Sequence, residues 1–403
     1  MVKVIIGAVL LLTIGLAGYR RTFTKLRLPL GARYIYLTGT EFILVGLALG
    51  SSFLGLLDES TIRGLTPLYS LGLGFIGLLF GIQLELNKLL RLPRHYFLVV
   101  VVQALVTMGV VFLPCWFLLR HVFGAGGGDQ LLAAFVLAAT ASCTGVTTLV
   151  LMSREKRLRS TPFLELLRYI ASLDAVVGLC AVGIAYGLMH DHTPFGAHFG
   201  AGALAIGIAL AIGLIMGLLF HVLTQIRCTE EELLIFVMGI ILFAGGMAEY
   251  LKLSPLFVCM LTGITMANIS NARDRIFFVL ARLEHPFYVV LLILAGAIWR
   301  VDTSWAWIFA ALYLALRAAG KVTGGYLAPR AVGVDIAVPR RLGFGLISQG
   351  GIAVAIVLNY HLMYPSRYTS VVVTSVLLAV IINELVSPVF IRNLLRRAGE
   401  VPT

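Results

Sequence analysis

The run RYIASLDAVVGLCAVGIAYG (residues 168–187) is apolar or small almost throughout, yet it contains one acid, Asp174. Placing an aspartate at the centre of a membrane helix costs about 2.5–3.5 kcal/mol, so such a residue as a rule faces a cavity or a partner. Two cations lie in a second apolar run, LYLALRAAGKVTGGYLAPR (residues 312–330), where Arg317 and Lys321 are four apart. That spacing puts both on one helix face, where they repel and need an anion. Asp174 matches them in depth. A buried lysine can give up its proton, whereas an arginine cannot. Lys321 is therefore the switchable cation and Arg317 the fixed one; the competing reading for Lys321 is a stem that snorkels to the interface. Asp174 itself can alternate between a proton and a metal cation, or serve as a structural tie to a neighbouring helix.

Glu384, in AVIINELVSPVF (residues 379–390), is the next acid of interest. It is a possible cavity acid, lining an inner cavity, or it bonds to a broken neighbouring helix. Two segments have the composition of such a break: AATASCTGVTTLV (residues 138–150) and GLISQGGIAVAIV (residues 345–357). Each gathers small, hydroxyl and glycine residues in mid-span, where helix propensity is weak and hydroxyls compete for backbone bonds. Unwound backbone at membrane depth offers carbonyls to a cation and helix ends offer dipoles. In the second break Ser348 and Gln349 add side-chain oxygens. The alternative is that these small residues only permit close helix packing.

These residues sit in a chain of 403 residues that is 60% hydrophobic and only 12% charged. Soluble domains carry about twice that share of charge. Apolar stretches of about 20 residues, enough to cross a bilayer, recur along the whole chain. Spans are expected at 2–19, 36–56, 67–87, 95–119, 130–153, 163–189, 198–224, 231–250, 254–270, 282–299, 304–328, 342–361 and 368–391. The fold class is an all-α polytopic membrane protein with about 13 transmembrane helices. The net charge of +12 does not point to nucleic acid: 22 of the 31 Lys and Arg fall in the odd-numbered connections and the C-terminus, against 6 in the N-terminus and even-numbered connections. The positive-inside rule then places the N-terminus outside and the C-terminus in the cytoplasm. The five basic residues from Arg20 to Arg33 hold their side in the cytoplasm, so the first span reads as a helix or anchor rather than a cleaved signal peptide.

Thirteen spans divide as six, one, six. An odd separation between equivalent halves inserts them with opposite orientation, giving an inverted repeat of helices 1–6 and 8–13. The transporter domain is expected over 1–392: a first repeat at 1–190, a linker helix at 198–224, a second repeat at 231–392, then a short cytoplasmic tail at 393–403.

Several patterns carry no chemistry. GLGFIG (residues 72–77) matches a dinucleotide fingerprint, but it lies inside a span with no strand before it and reads as packing. HDHTPFGAH (residues 190–198) reads as a solvated external loop, and CTEEELL (residues 228–234) as a helix start capped by Thr229. Glu41 and Glu249, near span ends, read as interfacial. The five cysteines are scattered without a C-x-x-C, so neither a disulfide framework nor a resident metal is expected. An intramembrane aspartyl protease needs two facing carboxylates; a single mid-span aspartate argues against it. The chain is not read as an enzyme, and no cofactor is expected.

The ordered set GLGFIGLLFGIQLELNKLLR, GMAEYLKLSPLFVCMLTGITMAN, LEHPFYVVLLILAGAIW, AAGKVTGGYLAPRAVG and GFGLISQGGIAVAIVL resembles the monovalent cation/proton antiporter superfamily, in its bacterial sodium/hydrogen exchanger-like membrane domain. The resemblance runs from about residue 36 to 392. It implies that Asp174 is the ion-binding aspartate and that Thr140, Ser142 and Thr144 belong to an unwound, cation-coordinating segment. It implies that Lys321 is the basic partner and that Ser348, Gln349 and Gly350 belong to a second broken helix crossing the first. A core domain moving against a dimerisation domain, a homodimer and a bacterial inner-membrane location are implied in the same way. The chain departs from the pattern at Leu173, where many relatives carry a second polar or acidic group, and at Ser348–Gly351, where many carry Arg-Gly-Glu. It also lacks the nucleotide-binding regulatory domain that some relatives append. With one carboxylate, one-for-one exchange of Na⁺ or K⁺ for H⁺ is favoured, and its partners would be those ions and lipid. The alternatives are a sodium-coupled organic-solute symporter and a transport-inactive regulatory member of the same fold.

Overall fold

A computed structural model describes residues 2–19, 38–86, 94–124, 126–155, 161–189, 201–225, 229–270, 273–334 and 341–398. Within them the chain forms α1 (Val2–Tyr19), α2 (Glu41–Leu49), α3 (Glu59–Gly64), α4 (Thr66–Ile82), α5 (Arg94–Phe123), α6 (Gly127–Ser142), α7 (Val146–Glu155) and α8 (Pro162–Leu188). It continues as α9 (Ala201–Thr224), α10 (Glu230–Tyr250), α11 (Pro255–Ile269), α12 (Arg273–Ala297), α13 (Trp305–Val332), a 3₁₀ turn (Leu342–Leu346), α14 (Gly351–Met363) and α15 (Thr369–Arg397). Taking α6 with α7 and the 3₁₀ turn with α14, and leaving the six-residue α3 as part of a connection, gives thirteen spans. Eight of the described helices are long and apolar enough to cross a membrane.

Span 2 differs most from expectation. Instead of helix over 36–56, α2 covers nine residues, and the chain then turns back so that Gly50 and Leu57 form an isolated bridge. The physical reason is local: Gly39 takes a left-handed φ of +82° just before α2, Gly50 ends it in an extended conformation (φ −68°, ψ 175°), and Gly55 at φ +64° turns the chain that follows. In the other direction, α12 begins at Arg273 rather than 282, and α15 runs to Arg397 rather than 391. Thr229 and Glu232 form a complete capping box at the start of α10, as CTEEELL suggests, although Cys228 and residues 190–198 lie outside the described residues. The GLGFIG segment packs in α4 against α11, where a Cβ at Gly77 would stand 2.2 Å from the Leu256 carbonyl.

Two breaks fall where the sequence places them. In span 5 the Thr140 hydroxyl bonds the Val136 and Leu137 carbonyls and the Ser142 hydroxyl bonds Ala139 O, after which Cys143 is extended (φ −71°, ψ 130°). In span 12 the 3₁₀ turn gives way to Ile347–Gly350, with Gly350 extended at φ −94°, ψ −171° before α14 starts. The two interruptions meet: Gly145 N donates to Ser348 O at 2.9 Å. This crossing lies between α8, α13 and α15. A second, smaller apolar cluster around Leu149, Leu164, Leu167, Leu342, Leu346 and Leu394 packs at the end of the molecule reached by the odd-numbered connections.

Candidate functional site

Among the described residues only four charged side chains are buried: Asp174, Arg317, Lys321 and Glu384, with relative exposures of 0%, 0%, 0% and 2%. All four converge on the crossing. Buried charges persist where they are paired or hydrogen-bonded: Asp174 and Lys321 form an ion pair, and Arg317 and Glu384 are held by hydrogen bonds.

Asp174 projects from mid-α8 into the first break. Its Oδ1 accepts the Thr144 backbone N–H at 3.0 Å, and its Oδ2 accepts the Thr144 hydroxyl and the Lys321 ammonium, the latter at 2.8 Å. Lys321 uses its remaining donors on the Ser142 carbonyl and on Thr144 Oγ1 at 2.8 Å. The ammonium is thus enclosed by a carboxylate, a hydroxyl and a backbone carbonyl. Breaking the helix between Ser142 and Val146 is what makes this possible: it frees the Ser142 carbonyl and turns the Thr144 N–H and hydroxyl toward α8. Lys321 does not snorkel; it forms a buried ion pair.

Arg317, one turn away, makes no ion pair with Asp174. Its Nη1 donates to Ile347 O at 2.5 Å, and its Nη2 donates to Cys143 O at 2.9 Å and Ser348 O at 3.0 Å. One guanidinium therefore satisfies carbonyls that both breaks release. The planar fork of arginine suits several fixed acceptors at once, where an ammonium would not.

Glu384 takes the second of the two readings open to it. Its Oε1 accepts Ser348 Oγ at 2.8 Å and its Oε2 accepts Thr148 Oγ1 at 2.9 Å, so it ties α15 to both broken spans. Gln349 points away from Asp174: Nε2 donates to Tyr313 Oη at 2.9 Å and Thr140 O at 3.2 Å, and Oε1 accepts Asn383 Nδ2 at 3.0 Å. Tyr313 Oη donates to Thr140 Oγ1 at 3.1 Å. The side chains of Thr140 and Ser142 are thus spent on their own helix and on Tyr313, and only Thr144 and the Ser142 carbonyl reach the Asp174–Lys321 pair. Gly350 caps α14 through its backbone alone, with no side-chain cap.

Three residues escape the sequence reading: Tyr313, Asn383 and Thr148. Thr148 carried a faint signal, as a further hydroxyl four residues after Thr144 within the polar segment 138–150. Tyr313 lies one turn before Arg317, and Asn383 adjoins Glu384, but single polar residues at such positions are ordinary in a span.

A cavity of 1450 Å³ opens at the end of the molecule formed by the even-numbered connections, lined by Glu59, Asp129, Glu249, Arg300, His361 and Arg367 among others. Glu249, read as interfacial, stands in this mouth and accepts the Ser70 hydroxyl. None of the four buried charges lines it. Among the described residues no group of three or more His, Cys, Asp and Glu could hold a metal ion.

Residues 9–396 match the family described as sodium/hydrogen exchanger, transmembrane. The chain is 23% identical over 377 residues to the Na(+)/H(+) antiporter NhaS4 of Synechocystis, covering 86% of this chain and 90% of that one. In fold it is similar to the sodium proton antiporter MjNhaP1 of Methanocaldococcus jannaschii at pH 8, with a TM-score of 0.67 at 14% identity, covering 97% of this chain and 99% of that one.

Proposed function

We propose, for a chain that belongs to the sodium/hydrogen exchanger family and is a multi-pass antiporter of that type, that Na⁺ or K⁺ and H⁺ compete for the pocket between Asp174 and Lys321. The observation that carries this reading is the oxygen set around the Lys321 ammonium: Asp174 Oδ2, Thr144 Oγ1 and the Ser142 carbonyl. Carboxylate, hydroxyl and carbonyl oxygens are the donors that hard cations use. Here they already surround a monovalent positive charge, the Lys321 ammonium, which is discharged when Nζ loses a proton.

The balance is direct. With Lys321 protonated, the pair is neutral and closed. When Lys321 Nζ releases its proton to one side, the amine is neutral, and Asp174 with its neighbouring oxygens accepts Na⁺ or K⁺. The pair is again neutral. Reversing the steps on the other side returns the proton and frees the ion. One cation exchanges for one proton with no net charge moved, in keeping with Leu173 where a second acid would have altered the count. Thr144 donates to Asp174 and accepts from Lys321, so it holds both partners and supplies the first replacement ligand. Thr140, Ser142, Gln349 and Gly350 maintain the broken backbone around the pocket.

The excess of Lys and Arg in the odd-numbered connections puts the N-terminus and the wide mouth outside and the C-terminus in the cytoplasm. We assign the protein to a bacterial inner membrane, as a homodimer. Its repeats span 1–190 and 231–392 about the linker 198–224, with 393–403 as a cytoplasmic tail. The test is exchange in everted vesicles or proteoliposomes with Na⁺, K⁺ and Li⁺. Asp174→Asn is expected to abolish the cation-driven collapse of a proton gradient; if it persists in that variant, the reading is wrong.

A further inference from the structure

The inverted repeat makes α8 and α15 equivalent, each the last span of its half, and makes the two breaks equivalent as well. At the first break a carboxylate from α8, Asp174, meets the Thr144 N–H and hydroxyl ahead of α7. At the second, a carboxylate from α15, Glu384, meets the Ser348 hydroxyl at 2.8 Å ahead of α14. The parallel extends to charge. The four buried charges are two cations and two carboxylates. Asp174 is ion-paired with Lys321. Arg317, which keeps its charge at any working pH, reaches toward Glu384 through one residue: its Nη2 takes Ser348 O at 3.0 Å while Ser348 Oγ donates to Glu384 Oε1. The positive end of α14, which has no side-chain cap of its own, also favours an anion there.

We infer that Glu384 is the repeat-related counterpart of Asp174 and stands as a fixed anion that balances Arg317 through Ser348, leaving Lys321 and Asp174 free to exchange partners at constant net charge. Glu384 is a positioning residue: it touches neither the transported ion nor Lys321, and it acts by setting the charge of the crossing. The groups facing it are Thr148 from α7, Ser348 and Gln349 from the second break, Arg317 from α13 and Tyr288 from α12, whose ring and hydroxyl pack against Gly351. Asp174 and Lys321 lie across the crossing. Without Glu384 the four-charge cluster would carry +1. That excess favours loss of the Lys321 proton and opposes entry of a cation.

The inference rests on Asp174 as the exchange site, and Asp174→Asn, run in parallel, tests that premise by itself. The experiment uses the full chain in proteoliposomes and reads the pH of half-maximal exchange, the apparent KM for Na⁺ and the reversal potential. For Glu384→Gln the expected results are a shift of the half-maximal pH to the acid side by about one unit, in the range an opposite charge produces, and a several-fold higher KM. The reversal potential should not change. Glu384→Asp, which keeps the charge, should restore the pH profile. A changed reversal potential would make Glu384 a carrier of transported protons and overturn the inference, as would a wild-type pH profile and KM in Glu384→Gln. If Glu384→Gln is not recovered folded, Glu384→Asp decides with the same readouts: a wild-type pH profile and KM support the fixed anion, and an acid shift as large as loss of the charge predicts overturns it.

Discussion

At the level of single residues, the structure separates two cations that look interchangeable in the sequence. Lys321 is held by its ion pair, so removing it strands a buried carboxylate. Lys321→Met is expected to lower stability by about 3–5 kcal/mol, the usual cost of leaving a buried charge without its partner. Because either a proton or a bound cation would neutralise the stranded Asp174, acid or added Na⁺ should recover part of that loss. Thermal unfolding in detergent at several pH values, with and without NaCl, measures this. Gly145 is a second point of sensitivity: a Cβ there would lie 2.7 Å from Ser348 Oγ, 2.8 Å from Gly350 N and 3.0 Å from Glu384 Oε1. Gly145→Ala should cost about 1–3 kcal/mol by overpacking and depress flux more than protein yield. Asp174 and Lys321 were legible as a pair because each is an expensive exception in an apolar span. The carbonyl partners of Arg317 were not, since every residue carries a carbonyl and the sequence does not say which ones a break will release. Nor could the sequence tell that Thr140 and Ser142 spend their hydroxyls on their own helix.

At the level of elements, both broken spans were visible in advance as clusters of hydroxyl and glycine residues, whereas the shortening of span 2 was not. Its apolar run is long enough to cross a membrane, and the left-handed turn at Gly39 and the extended Gly50 that flank the helix limit it to α2. The short helix that follows, α3, has no apolar signature, and its start is held by Asp58. That carboxylate accepts Thr61 N at 2.8 Å, Ser60 Oγ at 2.7 Å and Lys3 Nζ at 3.3 Å, and the serine and threonine donors hold its pKa well below the usual range, with a smaller contribution from Lys3. Because the folded value is depressed, the cap's contribution is present above the ordinary carboxylate pKa and is lost as pH falls through the folded value. Asp58→Ala should therefore speed amide exchange across residues 59–64 near neutral pH. In strong acid the wild type should exchange as the variant does, read by hydrogen–deuterium exchange.

At the level of the whole molecule, the uneven placement of Lys and Arg predicts which end faces which compartment. In a cysteine-free background, Asp302→Cys, exposed beside the wide mouth, should react with a membrane-impermeant maleimide added to intact cells. Arg396→Cys, exposed near the end of α15, should react only after permeabilisation; the reverse pattern would invert the topology. The guanidinium of Arg317 has a mechanical consequence at this scale. By gripping Cys143 O from one interrupted span and Ile347 O and Ser348 O from the other, it rivets two strands of chain that are some two hundred residues apart in sequence. A riveted joint does not shear. Sliding one strand past the other would strip three carbonyls and a permanent charge of their partners at once, in a medium with no water to replace them. On the exchange proposed above, the joint should therefore travel as one solid part, with the surfaces that slip lying outside it.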